Sequence, residues 1–345
     1  MITSYDKILG AFLGAAVGDA MGAATEIRTI DQIKEYFGGF IRDFKAPPAD
    51  TFARGRQAGQ ITDDFSQAYY LATTIINNQG RIDPGIAKKA IINWSNDQQY
   101  NCFMGPTTRA SLELLKSETK TAQDNEEELV LVNDNQKATN GSAMKIFPIG
   151  LINAGNINQA IDDAVTVSLV THDNNLSIAG ACAIAAAVCK ASEKNANLYD
   201  VVQAGLAGAR QGNEKGLARG RVAAGPSVYR RIKLAIELGL KSKNIEEAMI
   251  DIAEIIGCGL HIAEAVPSVF GLLIATKGDT MEGIFSGVNI GNDTDTVATM
   301  IGAIAGTLNG YHSIPGQYLT EINSKNNLSL EKLAKSFERV SNATN

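Results

Sequence analysis

The chain has 345 residues, with 31 basic against 37 acidic side chains and a formal net charge of −6. With 45% hydrophobic and 20% charged residues, it has an ordinary globular composition and material for a sizeable core, which excludes disorder over most of its length. Mild acidity without a dense Lys/Arg block argues against nucleic acid or an anionic membrane as partner. Three histidines and the scattered Cys102, Cys182, Cys189 and Cys258 make no zinc pattern. The cysteines read as small buried apolar residues of a reducing compartment.

In chain order, residues 8–24 come first (ILGAFLGAAVGDAMGAA). They imitate a signal peptide, but Lys7 is offset by Asp6 and Asp19 interrupts the apolar run. The segment is also too short and glycine-rich for a membrane span. It reads as the first core helix of a cytoplasmic protein, with Ile8, Leu9, Phe12, Leu13 and Ala16 at helical spacing. Gly10, Gly14, Gly18 and Gly22 form one bare ridge on it. Each costs about 1 kcal/mol relative to Ala inside a helix, so close helix–helix approach is the expected compensation. Gly302 and Gly306 repeat the device near the C-terminus.

Pro47-Pro48 marks a loop, and Phe65, Ala68, Tyr69, Ala72 and Ile76 predict a second amphipathic helix. Asp83-Pro84 reads as an N-cap and first helical position, opening a helix that carries Trp94. Residues 117–139 are polar, with an acidic cluster at Asp124 and Glu126 to Glu128, and read as a solvated surface loop. Within them, LVLV at 129–132 is the one short strand candidate. Residues 175–193 are nearly all small and apolar, suiting a helix buried on most sides. Residues 205–225 mix Gly, Ala and Arg without the aromatics of a nucleic-acid surface. A last amphipathic pattern runs through Val297, Ile301, Ile304 and Leu308. No linker divides the chain, so one all-α domain over residues 1–345 is expected.

Two acidic clusters stand at the mouths of apolar helices: Ile61-Thr62-Asp63-Asp64-Phe65 and Gly291-Asn292-Asp293-Thr294-Asp295-Thr296. Carboxylates with neighbouring hydroxyls are hard oxygen ligands that suit Mg²⁺ or Mn²⁺ rather than zinc. Free N–H groups at a helix start orient carboxylate oxygens. Simple N-capping by Thr62 and Asp293 is the plain alternative for either cluster alone. Convergence of the two would demand a cation, because four carboxylates packed together repel. Asp293 to Thr296 also fits the DxDxT of aspartyl-phosphate phosphotransferases, and the DxD of metal-dependent glycosyltransferases. Neither fits the context, since no hydrophobic strand precedes the motif.

Taken together, Gly14 to Gly22 (GAAVGDAMG), Thr62-Asp63-Asp64, Asn140 to Gly150 (NGSAMKIFPIG), Thr171-His172 and Gly291 to Thr296 resemble the ADP-ribosylglycohydrolase family. The motifs fall in family order and span residues 8 to about 311. The resemblance implies a compact orthogonal multi-helix bundle with a binuclear Mg²⁺ or Mn²⁺ centre in a cleft. It places metal ligands at Thr62, Asp63, Asp64, Asp293, Asp295 and Thr296. Glu26 matches a glutamate that approaches the metals in some members, and Asp19 a structural acid near the site. Asn140, Gly141, Ser142, Met144 and His172 match residues that line the ADP-ribose cleft. Glu26, Asp63 or Asp295 would accept the proton of the attacking water.

The departures concern the pocket walls. TDDTQ becomes Thr62-Asp63-Asp64-Phe65-Ser66-Gln67, and an acid suited to arginine-linked substrates becomes Phe103, next to Met104 and Gly105. These positions predict Phe65, Phe103 and Gly105 in the cleft. The implied substrate is an ADP-ribosylated protein, or else a free nucleoside or other small ribosyl molecule. A protein that binds ADP-ribose without turnover, or a purely structural helical domain, are the readings from other classes. Oligomeric state is left open by the sequence.

Overall fold

The computed structural model describes residues 2–116 and 134–344. The acidic cluster at Asp124 and Glu126 to Glu128 and the strand candidate at 129–132 lie outside the described residues. Among those described there are sixteen α-helices, four short 3₁₀ turns and no strand beyond two isolated bridges. They run α1 (Ser4–Gly22), α2 (Ile30–Phe37), α3 (Asp63–Asn77), α4 (Pro84–Ser95), α5 (Pro106–Lys116), α6 (Phe147–Ile152), α7 (Ile157–Ser168) and α8 (Asn175–Ala191). Then follow α9 (Leu198–Arg219), α10 (Val228–Lys241), α11 (Ile245–Ile255), α12 (Ile262–Ala275), α13 (Thr280–Asn289), α14 (Thr294–Asn309), α15 (Gly316–Asn326) and α16 (Leu330–Thr344).

Most of these helices start where a local side chain satisfies a free N–H. Thr3 and Thr29 make full capping boxes with Asp6 and Gln32. Asp83 accepts from the Ile86 N–H ahead of Pro84, as its sequence predicts. Asn156, Asn174, Asn197, Ser227, Asn244 and Asp279 do the same for α7, α8, α9, α10, α11 and α13. α6 and α15 follow Ile146 and Pro315, which cannot cap, but α3 and α14 lack a local cap although capping residues precede them. Thr62 and Asp293 stand at their N-cap positions, yet neither side chain caps its own helix.

The centre of the molecule is the pair α1 and α14, which run antiparallel along the glycine ridge. A Cβ on Gly10 would meet the Gly306 carbonyl oxygen at 2.1 Å, and one on Gly14 the Gly302 oxygen at 2.2 Å. Gly18 meets the Ala298 oxygen at 2.3 Å and Gly22 the Asp295 Cα at 2.4 Å. The two backbones touch without any intervening side chain. Phe12 projects from α1 to pack edge-on against Phe147 of α6 and Phe337 of α16, at 5.4 and 5.6 Å between ring centroids. At the start of α1, Lys7 is buried and its Nζ donates to Ala191, Thr307 and Leu308 carbonyls, which end α8 and α14. α8 is buried along nearly its whole length, as its small-residue sequence predicts, and packs on α9, α7, α6 and α14.

The antiparallel seam has a functional result. It sets the C-terminal end of α1, and the turn that carries Glu26, against the acidic start of α14. Three sequence expectations fail here. Phe65 is fully enclosed in the core rather than in a cleft: it is the third residue of α3, and the helix turns it inward. Ser142 is likewise sealed, its hydroxyl donating to the Ser177 carbonyl at 3.0 Å. Cys102 is exposed, unlike the buried Cys182, Cys189 and Cys258.

Gly14→Ala and Gly302→Ala each place a methyl group where a backbone atom already sits. Each is expected to destabilise the protein by about 1–3 kcal/mol or more, read as a lower midpoint in urea. An unchanged midpoint for either variant contradicts the backbone contact.

Candidate active site

Asp19 connects the helical core to the first acidic cluster. Its carboxylate, buried near the end of α1, accepts the Thr62 N–H with both oxygens at 3.0 Å. It also accepts the Thr62 hydroxyl at 2.6 Å and the Phe65 N–H at 2.9 Å. Asp19 therefore caps α3 from another helix, and Asp63 and Asp64 are left free of capping duty. Burial raises the Asp19 carboxyl to about 6 against these hydrogen bonds, which favour its charge.

The second cluster is held by a turn. Gly291 and Asn292 have φ of 93° and 60°, in the left-handed region that Gly and Asn tolerate. A Cβ on Gly291 would strike the Arg28 carbonyl oxygen at 2.6 Å. The backbone bonds Ile27 N–H to Asn292 O (2.7 Å) and Asn292 N–H to Arg28 O (2.8 Å) tie this turn to the segment following Glu26. Ile27, a β-branched residue, is held at φ 63° by that tie. The Asp293 N–H goes to the Cys258 carbonyl, and its carboxylate accepts from the Asn140 amide. The Asn140 N–H in turn reaches Leu260 O at 2.9 Å.

The clusters converge. Carboxylate oxygens of Glu26, Asp293 and Asp295 lie within 4.8 Å of one another. Asp63 and Asp64 belong to the same charge cluster, and Thr296 lines the same cleft. These residues and Thr62 floor a cleft of about 280 Å³. One wall is Phe52 to Arg54 with Cys102 to Thr108; the other is Thr139 to Gly141, Met144, His172 and Leu260. Phe103 and Gly105 both line the cleft, and Arg56 stacks its guanidinium on the Phe103 ring at 4.6 Å. Gly141 is required by its neighbour, since a Cβ there would sit 2.8 Å from His172 Nε2.

Sequence reasoning left Lys145 and Gln67 without a role, although both stand in quoted motifs. The Lys145 ammonium is buried; burial lowers it to about 8, while nearby Asp63 and Asp64 favour its charge. A lysine inside the apolar run Ala143 to Phe147 was the available signal. His172 is held neutral by burial, with the Lys145 charge acting in the same direction.

The carboxylates are unbalanced on their own. Burial first, then the Asp293, Asp63 and Asp19 charges, push Glu26 up to about 9. Burial and Asp19 push Asp63 up to about 8. Asp64 and Asp295 are driven up as well, by burial and by neighbouring acids. One oxygen of Asp64, Oδ1, is buried without any hydrogen-bond partner. Such an atom suits a cation, and the hard oxygen set suits a divalent one. In the unfolded chain these acids return to ordinary values of 3.8 and 4.5. Between those values and the raised ones, the native state binds more protons than the unfolded state. Its stability therefore falls as pH rises through this window. Metal-free protein is expected to melt at a higher temperature at pH about 6 than at pH about 9; a melting temperature that climbs with pH contradicts the crowding.

The chain has relatives in both sequence and fold. The family described as ADP-ribosylglycohydrolase matches residues 1–344. "Uncharacterized protein YegU" of Escherichia coli (strain K12) is 28% identical over 334 residues, covering 95% of each chain. "ADP-ribosylarginine hydrolase Tri1" of Pseudomonas putida (strain GB-1) is 24% identical, over 92% of this chain and 75% of its own. A solved structure titled "ADP-ribosylglycohydrolase-related protein complex" superposes with a TM-score of 0.67 at 22% identity, covering 99% of this chain and 100% of its own. With its all-helical fold and converged acidic clusters, the chain belongs to the ADP-ribosylglycohydrolase family, hydrolases of ADP-ribosyl linkages.

Proposed function

We propose that the chain hydrolyses the bond between the ribose anomeric carbon and its acceptor in an ADP-ribosylated substrate, using two divalent cations, Mg²⁺ or Mn²⁺. The observation that carries this reading is the convergence of Glu26, Asp293 and Asp295, with Asp63 and the unpartnered buried oxygen of Asp64 at the same cleft. Thr62, Asp63, Asp64, Asp293, Asp295 and Thr296 would hold the cations. Bound there, the cations supply charge balance, a hold on ribose hydroxyls and a lowered water pKa.

The chain's own residues do the rest. Glu26, Asp63 or Asp295 accepts the proton of the attacking water. The carboxylate floor stabilises the positive charge that develops at the anomeric carbon in an oxocarbenium-like transition state. Asn140 spends its amide on Asp293 and so keeps that carboxylate aimed while lining the ribosyl side with Gly141, Met144 and His172. Phe103, Gly105 and the Arg54 loop face the acceptor.

The Phe103 wall supports a second acceptor class. Among the described lining residues, every carboxylate belongs to the floor, and the wall offers Phe52, Phe103, Met104 and Arg54. Such a wall suits a neutral, apolar-faced leaving group, as in a free nucleoside or small ribosyl compound, better than an arginine guanidinium.

The test is a Mg²⁺/Mn²⁺ assay of ADP-ribosyl-arginine, ADP-ribosyl-serine, O-acetyl-ADP-ribose and free nucleosides. Turnover is expected to vanish in EDTA and to return with either metal, whereas full-rate hydrolysis by verified metal-free protein contradicts the mechanism. Release of base without ADP-ribose hydrolysis selects the second acceptor class.

Two variants extend the test. Asp295→Ala is expected to lose about 100-fold or more in rate while its helical circular dichroism persists. Phe103→Asp is expected to retain metal binding and to raise the rate on ADP-ribosyl-arginine relative to the other substrates. A Phe103→Asp protein that unfolds or loses metal assigns Phe103 to the core instead.

A further inference from the structure

Lys145 takes no part in the chemistry above, yet its buried ammonium bonds Gln67, which contacts Asp63 of the floor, and Thr171, which contacts His172 of one wall. Its Nζ donates to Gln67 Oε1 at 3.0 Å and to Thr171 Oγ1 at 3.3 Å. A protonated lysine has donors only. Gln67 must therefore turn its carbonyl oxygen to Lys145, which leaves its amide N–H for Asp63. Gln67 Nε2 lies 3.3 Å from Asp63 Oδ2, four residues earlier on the same face of α3.

The second arm obeys the same rule. The Thr171 hydroxyl accepts from Lys145, and among the described residues the remaining partner for its own proton is His172 Nδ1, at 2.8 Å. A neutral histidine that accepts at Nδ1 carries its proton on Nε2. His172 Nε2 lies 3.0 Å from Thr139 Oγ1, and the Thr139 hydroxyl donates onward to Thr107 Oγ1 at 3.4 Å. Pairing the Thr171 proton with Nδ1 gives each link one direction, and both arms then start from one ammonium group.

We propose that Lys145 is a positioning residue that sets the direction of hydrogen bonding at the cleft floor and along its His172 wall. It aims the Gln67 amide at Asp63 and holds His172 in its Nε2-protonated tautomer, facing the Thr139–Thr107 edge. The arrangement rests on the hydrolase reading only where turnover is measured; the tautomer does not depend on it.

The test uses full-length protein with ¹⁵N-labelled histidine. The chain has only three histidines, His172, His261 and His312, and His172→Asn assigns the signal of interest. In wild type, His172 is expected to show an unprotonated Nδ1 and a protonated Nε2 at neutral pH. Lys145→Met is expected to lose that single pattern, with kcat reduced about 10- to 100-fold and KM changed less than about threefold. Lys145→Arg, also a pure donor, is expected to keep the tautomer and restore most of kcat. A wild-type proton on Nδ1, or a folded Lys145→Met protein that retains the wild-type tautomer, overturns the proposal.

Should Lys145→Met fail to fold, Gln67→Leu cuts the first arm from its other end. A drop in kcat at unchanged KM supports the arrangement, and a full-rate Gln67→Leu enzyme overturns it. If wild type turns over no substrate, the hydrolase reading fails alone and the wild-type tautomer decides this proposal.

Discussion

Where Gly14 meets Gly302, two helix backbones lie so close that a methyl group on either would fall on the other's carbonyl oxygen. That contact is the constraint from which the site follows. Four glycines on α1 give up helix propensity, and the approach of α14 offsets it through continuous van der Waals contact. Because the helices are antiparallel and locked in register, the end of α1 can stand only beside the start of α14. Glu26 is thereby delivered to Asp293 and Asp295. From the same end of α1, Asp19 reaches across to cap α3 and fix Asp63 and Asp64. One helix end organises both halves of the cluster.

At most other helix starts an Asn, Asp, Ser or Thr satisfies the free N–H groups locally. The two site helices give that up. Asp293 turns its carboxylate to Asn140 rather than to its own N–H groups, and Thr62 donates its hydroxyl to Asp19. Carboxylates released from capping remain available for other work, at the price of mutual repulsion in a buried space. Burial first, and neighbouring acids second, raise the Glu26 and Asp63 carboxyl groups, and Asp64 keeps a buried oxygen without a partner. Stability and chemistry pull in opposite directions here, as they do where a site is built for charge that arrives with a ligand.

The glycine seam was legible because a four-residue spacing has one physical meaning on a helix, and Gly302 and Gly306 echoed it. The acidic clusters were legible because hard ligands stood next to apolar helical patterns. What failed was orientation. Phe65 adjoins Asp64 in sequence, but one further step around the helix turns it into the core. Ser142 sits between two cleft residues, in a 3₁₀ turn that sends its hydroxyl to Ser177. Cys102 looked like a core thiol because local sequence does not reveal that 101–103 form a turn on the cleft wall. The cap from Asp19 to Thr62 and the bonds from Lys145 to Gln67 and Thr171 join residues far apart in the chain. No local pattern encodes such pairs; only the packed fold brings them together.

The most direct test of the central claim is to locate the cations. Crystals grown with Mn²⁺ and measured at the manganese absorption edge should show two anomalous peaks between the starts of α3 and α14. Both should be ligated by carboxylates drawn from Asp63, Asp64, Asp293 and Asp295. Anomalous density absent from that space, with Mn²⁺ saturating in solution, would contradict the account.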